Sequence, residues 1–252
     1  MDLIFKDPGF QYSISMIMEF QGEDMSDWWS ESLFYFYPSL DQAHFKTLTV
    51  EEKRAYLTSK LQSVFKEQRN EITQKLQEYQ DHWDHNKDVI EAAFHDAFQI
   101  DVTALCNDMK GNISLNPICP RFLDTHVFDI FYLSSHKGAL GMALHEMTHF
   151  LWFHVWQQVF HDDPAVYEAP HLQWLFSEMA PHFVLQDPRF VALNPYAPDH
   201  IVYDYFYTMK VEDRCILDTL QELYDQHDMV TFMKEGYAYC ERFADEILAQ
   251  VL

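Results

Sequence analysis

Basic side chains are what this chain has least of relative to their counterparts. Seventeen Lys and Arg stand against 40 Asp and Glu, a formal net charge of −23. So acidic a surface repels nucleic acid and anionic membranes, and it favours basic or neutral partners. The four cysteines (Cys106, Cys119, Cys215 and Cys240) have no C-x-x-C spacing, which excludes the usual zinc knuckle and redox pair. They read as buried free thiols of a reducing cytoplasm. No clean apolar run is long enough to span a bilayer: residues 139–160 come closest, but His145, Glu146, His149 and His154 interrupt them. The start, Met1 to Pro8, lacks a basic segment leading into an apolar one, so no secretory signal is expected. Repeats and low-complexity tracts are also missing.

What is present suits a packed core. Nearly half the residues are apolar (48%) and 16% are aromatic, enough to bury a large interior. The length fits a single domain over 1–252, with residues 1–98 as an N-terminal strand and helical layer and 99–252 as the core that follows. Residues 10–20 alternate partly, with Tyr12, Ile14, Met16 and Met18 on one face, and predict a strand. Thr49 and Glu52 form a capping box that opens a charged helix to about 80, and a second helix covers roughly 84–98. Phe98 to Cys106 and Ile113 to Cys119 predict two strands joined by a turn-rich 107–112, and Val127 to Leu133 a further one. Ser134 and Ser135 offer caps to a helix reaching about 160. Beyond it come a short helix at about 171–185, a proline-bearing loop at 186–200, and two amphipathic helices at about 211–226 and 229–250. The fold class expected is α+β, mostly helical, with a small antiparallel sheet packed on the helix that reaches about 160.

That helix carries His145-Glu146-Met147-Thr148-His149. Residues four apart share a helix face, so both imidazoles can reach one metal ion, with Glu146 beside it as a general base. The flanks, Gly138 to Leu144 and Phe150 to Phe153, are apolar all round and mark a helix buried on most sides. Two histidines and a glutamate placed there each need a partner, and a metal serves all three. Gly138 and Gly141 lower the helix propensity near its start and allow close backbone packing.

Catalytic zinc takes three protein ligands. The longer pattern H-E-x-x-H-x-x-G-x-x-H is absent, since Trp152 stands at the glycine position and Val155 at the third histidine. His154 is one residue off, a rotation of about 100° on a continuing helix. The best-placed third ligand is Glu178, on the next predicted helix among Trp174, Leu175 and Met179, where a carboxylate is costly unless paired. Glu168, Asp162 and Asp163 are alternatives in the intervening loop, without a rigid element to aim them.

With His145, Glu146, His149 and Glu178 in this order, residues 127–185 resemble the zincin superfamily, and within it the gluzincin-like zinc metallopeptidases. The same stretch is similar to small uncharacterised bacterial proteins predicted to be such peptidases. The first hundred residues match no peptidase pattern. The resemblance implies one Zn²⁺ per chain, Glu146 as base, and a strand near the cleft, expected at 127–133, that pairs with extended substrate. It also implies a Tyr or His that stabilises the oxyanion, with Tyr203, Tyr205, Tyr207 and His200 as candidates. Gluzincins often carry an acidic residue four past the glutamate ligand; here that position is His182. Support for the ligand histidines must then come from elsewhere, through Asp129 or backbone carbonyls. The expected activity is peptide-bond hydrolysis on a peptide or protein substrate. A non-peptidase hydrolase, an inactive zincin-like binding protein and a metal-free interaction protein are the rival expectations.

Overall fold

A computed structural model describes residues 1–22, 27–197 and 201–251. The chain is α+β and mostly helical. Its residues fall into two compact units, one of Asp2–His85 with Asp108–Ala139, the other of Met1, Asn86–Asn107 and Leu140–Leu252. Residues 98–99 therefore lie inside the second unit. No helix among the described residues is long and apolar enough to cross a membrane.

The first unit holds a four-stranded sheet of β1 (Leu3–Lys6), β2 (Met109–Ser114), β3 (Arg121–Phe122) and β4 (Val127–Phe131), in the order β1-β2-β4-β3. The sheet is mixed, not antiparallel as expected: β1, β2 and β4 run parallel, and only β3 opposes β4. Parallel pairing joins segments a hundred residues apart, as in Leu3 with Met109, which no local pattern reveals. β4 has neighbours on both sides at Val127 and Phe128, and the Asp129 amide goes to the Pro120 carbonyl. A peptide laid along the first half of β4 would have to displace β3. The outer edge of β1 is covered by one side chain: Gln80 accepts from the Phe5 amide (3.1 Å) and donates to the Leu3 carbonyl (3.0 Å). Its amide copies the hydrogen bonding of a strand and blunts an exposed edge.

Two predicted strands are helical. α1 (Phe10–Glu19) replaces the first. Its buried residues, Ser13, Ile14 and Ile17, follow the helical spacing of three and four, which outweighs the partial alternation of the sequence. Gly9, with φ +89°, makes the left-handed entry that other residues resist. Between Phe98 and Cys106 the chain is likewise not extended: Asp101 accepts from the Ala104 amide (3.0 Å) and caps α5 (Val102–Leu105).

Two further helices, α2 (Asp27–Phe36) and α3 (Gln42–Lys46), precede α4 (Val50–Phe98). α4 merges the two helices expected there into one of 49 residues. Residues 80–84 contain no glycine or proline, and Leu57, Leu61, Ile72, Tyr79, Trp83 and Ile90 bury one seam along it. The capping box is formed: the Thr49 amide donates to Glu52 (2.9 Å) and the Glu52 amide to the Thr49 hydroxyl (3.3 Å).

On the sheet, Asn112 and Asp129 sit side by side in register. Both are buried, and the Asp129 carboxylate accepts from the Tyr12 hydroxyl (2.8 Å) and the Asn112 amide (3.0 Å) at one oxygen. Ser114, also buried, bears on the same carboxylate.

Among its described residues the second unit's regular structure is helical apart from a short hairpin of β5 (Lys210–Val211) and β6 (Arg214–Cys215). Its frame comprises residues 140–160 of α6 (His136–Phe160), then α7 (Leu172–Val184), α8 (Pro188–Val191), α9 (Ile216–Gln226), α10 (Met229–Arg242) and α11 (Ala244–Leu248). The hairpin takes up the start of the expected 211–226 helix, and the turn at Phe243 divides the expected 229–250 helix in two.

Candidate metal centre

α6 starts where the sequence places it, with the Ser135 hydroxyl accepting from the Gly138 amide (3.0 Å). Nearly every residue from Leu140 to Trp156 is buried, as an all-apolar helix requires. Thr148, polar and fully buried, satisfies its hydroxyl on the Leu144 carbonyl (2.8 Å). Trp152 stacks on Trp156 (6.0 Å) and meets the edge of Phe176 (5.1 Å), which locks α7 against α6. Trp152 thereby fills a position where the longer histidine motif has glycine.

This packing brings Glu178 of α7 to the histidines. Its side chain is 3% exposed, so it is no solvent-facing helix position. One oxygen lies 3.7 Å from His149 Nε2, and His149 Nε2 lies 3.1 Å from His145 Nε2. The ligand atoms of the three residues all fall within 4.8 Å of one another. Among the described residues this is the one group of three His, Cys, Asp or Glu side chains that could hold a metal in this way. His149 is fully buried, His145 half-buried, and Glu146, between them in sequence, is 4% exposed.

The donor set can be tested against a metal. His145 Nδ1 lies 3.0 Å from the Ile201 carbonyl; a carbonyl only accepts, so Nδ1 carries the proton and Nε2 of the neutral ring presents a lone pair. His149 Nε2 thus faces two acceptors, the His145 lone pair and the Glu178 carboxylate. A single proton on it can serve only one of them well, whereas a cation serves both. Two ligands about 2.0–2.1 Å from a tetrahedral zinc stand about 3.3 Å apart, and the separations of 3.1 and 3.7 Å bracket that value. The contact from Nδ1 to a carbonyl is also the usual outer support of a metal-binding histidine. The residues fit zinc.

The other expected participants separate clearly. Asp163 caps the 3-10 turn Pro164–Tyr167 through the Ala165 amide (2.9 Å), Asp162 accepts from the Trp156 indole (3.1 Å), and Glu168 is exposed. None of the three is in the cluster. Of the tyrosines, Tyr205 feels the Glu178 charge: burial first, then that carboxylate, holds its phenol well above the ordinary range. Tyr203 stacks on Tyr205 (5.4 Å, 8°). Tyr207 instead accepts from the Ile201 amide (3.3 Å). Burial lowers the pKa of His182, against a smaller opposing effect of Asp218, and its ring meets the edge of Tyr207 (5.6 Å). Asp129 spends one oxygen on Tyr12 and Asn112 in the first unit; the partner found for His145 is the Ile201 carbonyl. His200 lies outside the described residues.

Ile201 could not have been read from the sequence, because it acts through its backbone. Gly141 left a signal, being a poor helix former one turn before His145. A Cβ there would stand 2.6 Å from Asn194 Oδ1 and 2.9 Å from the Tyr196 ring. Asn194 is 4% exposed and accepts from the Tyr196 amide (2.9 Å), so it has little freedom to yield. Replacing Gly141 by alanine should gain about 1 kcal/mol of helix propensity and lose about 1–3 kcal/mol to overpacking. The expected result is a lower melting temperature, read by thermal denaturation; a higher one would show that the Asn194 loop gives way freely.

No family model matches the chain, and no curated protein or solved structure is found to be similar to it.

Proposed function

We propose that the protein is a zinc-dependent hydrolase that cleaves peptide bonds. The observation that supports this reading most is the convergence of His145, His149 and a buried Glu178, with Glu146, also buried, next to His145 in the chain. The three ligands would hold the ion, and zinc so bound would supply Lewis acidity that lowers the pKa of water towards about 7 and polarises a carbonyl. Glu146 takes the proton of the attacking water and passes it to the departing amine nitrogen. Burial shelters its carboxylate from bulk water. Tyr205, whose phenol is raised first by burial and then by the Glu178 charge, is the tyrosine assigned here to donate to the oxyanion. Peptide is preferred as substrate because the zincin-like motif points to amide hydrolysis, and the net charge of −23 favours basic or neutral chains.

Protein purified without added metal should contain close to one zinc per chain by elemental analysis, and His149→Ala protein should contain almost none. Wild-type protein that folds and takes up no zinc, even when zinc is supplied, would end this reading.

A further inference from the structure

Ile201 makes two hydrogen bonds that together form a relay. Its carbonyl accepts from His145 Nδ1 (3.0 Å) and its amide donates to the Tyr207 hydroxyl (3.3 Å). Ile201 and Val202 are buried, and Phe206, next to Tyr207, is fully buried. The Tyr207 ring is seated against His182 on α7. Closer to the start of α6, Asn194 and Tyr196 lie against Gly141, one turn before His145. The backbone that meets the histidine is therefore held by a tyrosine six residues further along the chain.

We propose that Tyr207 is a positioning residue for His145, acting through the Ile201 backbone. The proposal builds on the metal-site reading and adds what fixes the first ligand. A histidine ring free to rotate or exchange tautomers offers its Nε2 lone pair only part of the time. The Ile201 carbonyl removes that freedom by requiring the proton on Nδ1. The carbonyl can do so only if it is itself fixed, and the Tyr207 hydroxyl anchors the amide of the same residue. Peptide and phenol supply the support here. The support carries no charge, and it depends on how the 201–207 segment folds.

The experiment uses the full chain and two readouts. Tyr207→Phe removes the hydroxyl and keeps the ring on His182. In metal-free protein, long-range ¹⁵N–¹H spectra of the histidine rings should show His145 as a single Nδ1–H tautomer in the wild type and as a mixture in the variant, with His149 unchanged. Zinc affinity, measured by competition with a chromophoric chelator, should fall about tenfold in the variant, the lower end of the range for outer-shell partners. Retention of the Nδ1–H tautomer together with an affinity within twofold of wild type would overturn the proposal. The tautomer arm needs no metal, so failure of the wild type to bind zinc would count against the metal reading and leave the relay to be decided separately. Should Tyr207→Phe fail to fold, hydrogen exchange of the Ile201 amide in wild-type protein decides: protection supports the relay, and exchange at the rate of an open loop overturns it.

Discussion

Glu146→Gln protein should retain its zinc and lose about 10²–10⁴-fold in kcat/KM on unstructured neutral or basic peptides. Glutamine has the size and shape of glutamate, and at 4% exposure the side chain is held by its surroundings, so the substitution disturbs packing little. What it removes is basicity: an amide cannot accept the proton of the attacking water, and positioned general bases contribute about 10²–10⁴-fold. His145, His149 and Glu178 are untouched, so elemental analysis should give the same metal content as the wild type. The pairing of the two measurements carries the argument. A fall in turnover with the metal lost would only show damage to the site, while undiminished turnover with zinc retained would show that hydrolysis does not run through Glu146.

The second large effect is expected in the sheet. Asp129 is fully buried, and burial lifts its carboxyl from 3.8 to about 6 despite the Tyr12, Asn112 and Ser114 hydrogen bonds and the Lys6 charge that pull it down. The folded protein therefore binds this proton more tightly than the unfolded chain. Stability falls as pH rises from about 4 to about 6, because ionisation is easier once the chain unfolds. A shift of about two units corresponds to about 3 kcal/mol. Asp129→Asn carries no charge at any pH, and its amide oxygen can still accept from Tyr12 and Asn112. The variant should be more stable than wild type by up to about 3 kcal/mol in urea denaturation at pH 8, and the gap should close below pH 4. An equal difference at both pH values would mean that the effect of residue 129 is steric and not ionic.

What was legible in the sequence was local. The spacing of His145 and His149, the all-round apolar flanks of α6 and the Thr49–Glu52 cap each depend on residues within a few positions of one another. A carboxylate among apolar neighbours at 178 was legible for a related reason: its burial follows from its immediate context. Where two periods competed, the reading failed. Residues 10–19 alternate in part and yet pack by threes and fours. Residues 98–106 are rich in apolar side chains, but Asp101 caps a helical turn there. The unbroken run of α4 through 80–84 and the parallel register of β1, β2 and β4 depended on partners far along the chain.

The H-E-x-x-H segment determined by itself that two imidazoles and a carboxylate share one stretch of buried helix, because helix geometry is a property of neighbouring residues. Tertiary structure alone decided how those groups are completed. It brought Glu178, on the helix where Phe176 packs against Trp152, to the two histidines, and left Glu168, Asp162 and Asp163 out of that group. It supplied the Ile201 carbonyl, 56 residues from His145, as the support that fixes the ring. A backbone oxygen is the same in every residue, so no side-chain pattern can say which one a histidine will meet; only the path of the folded chain does.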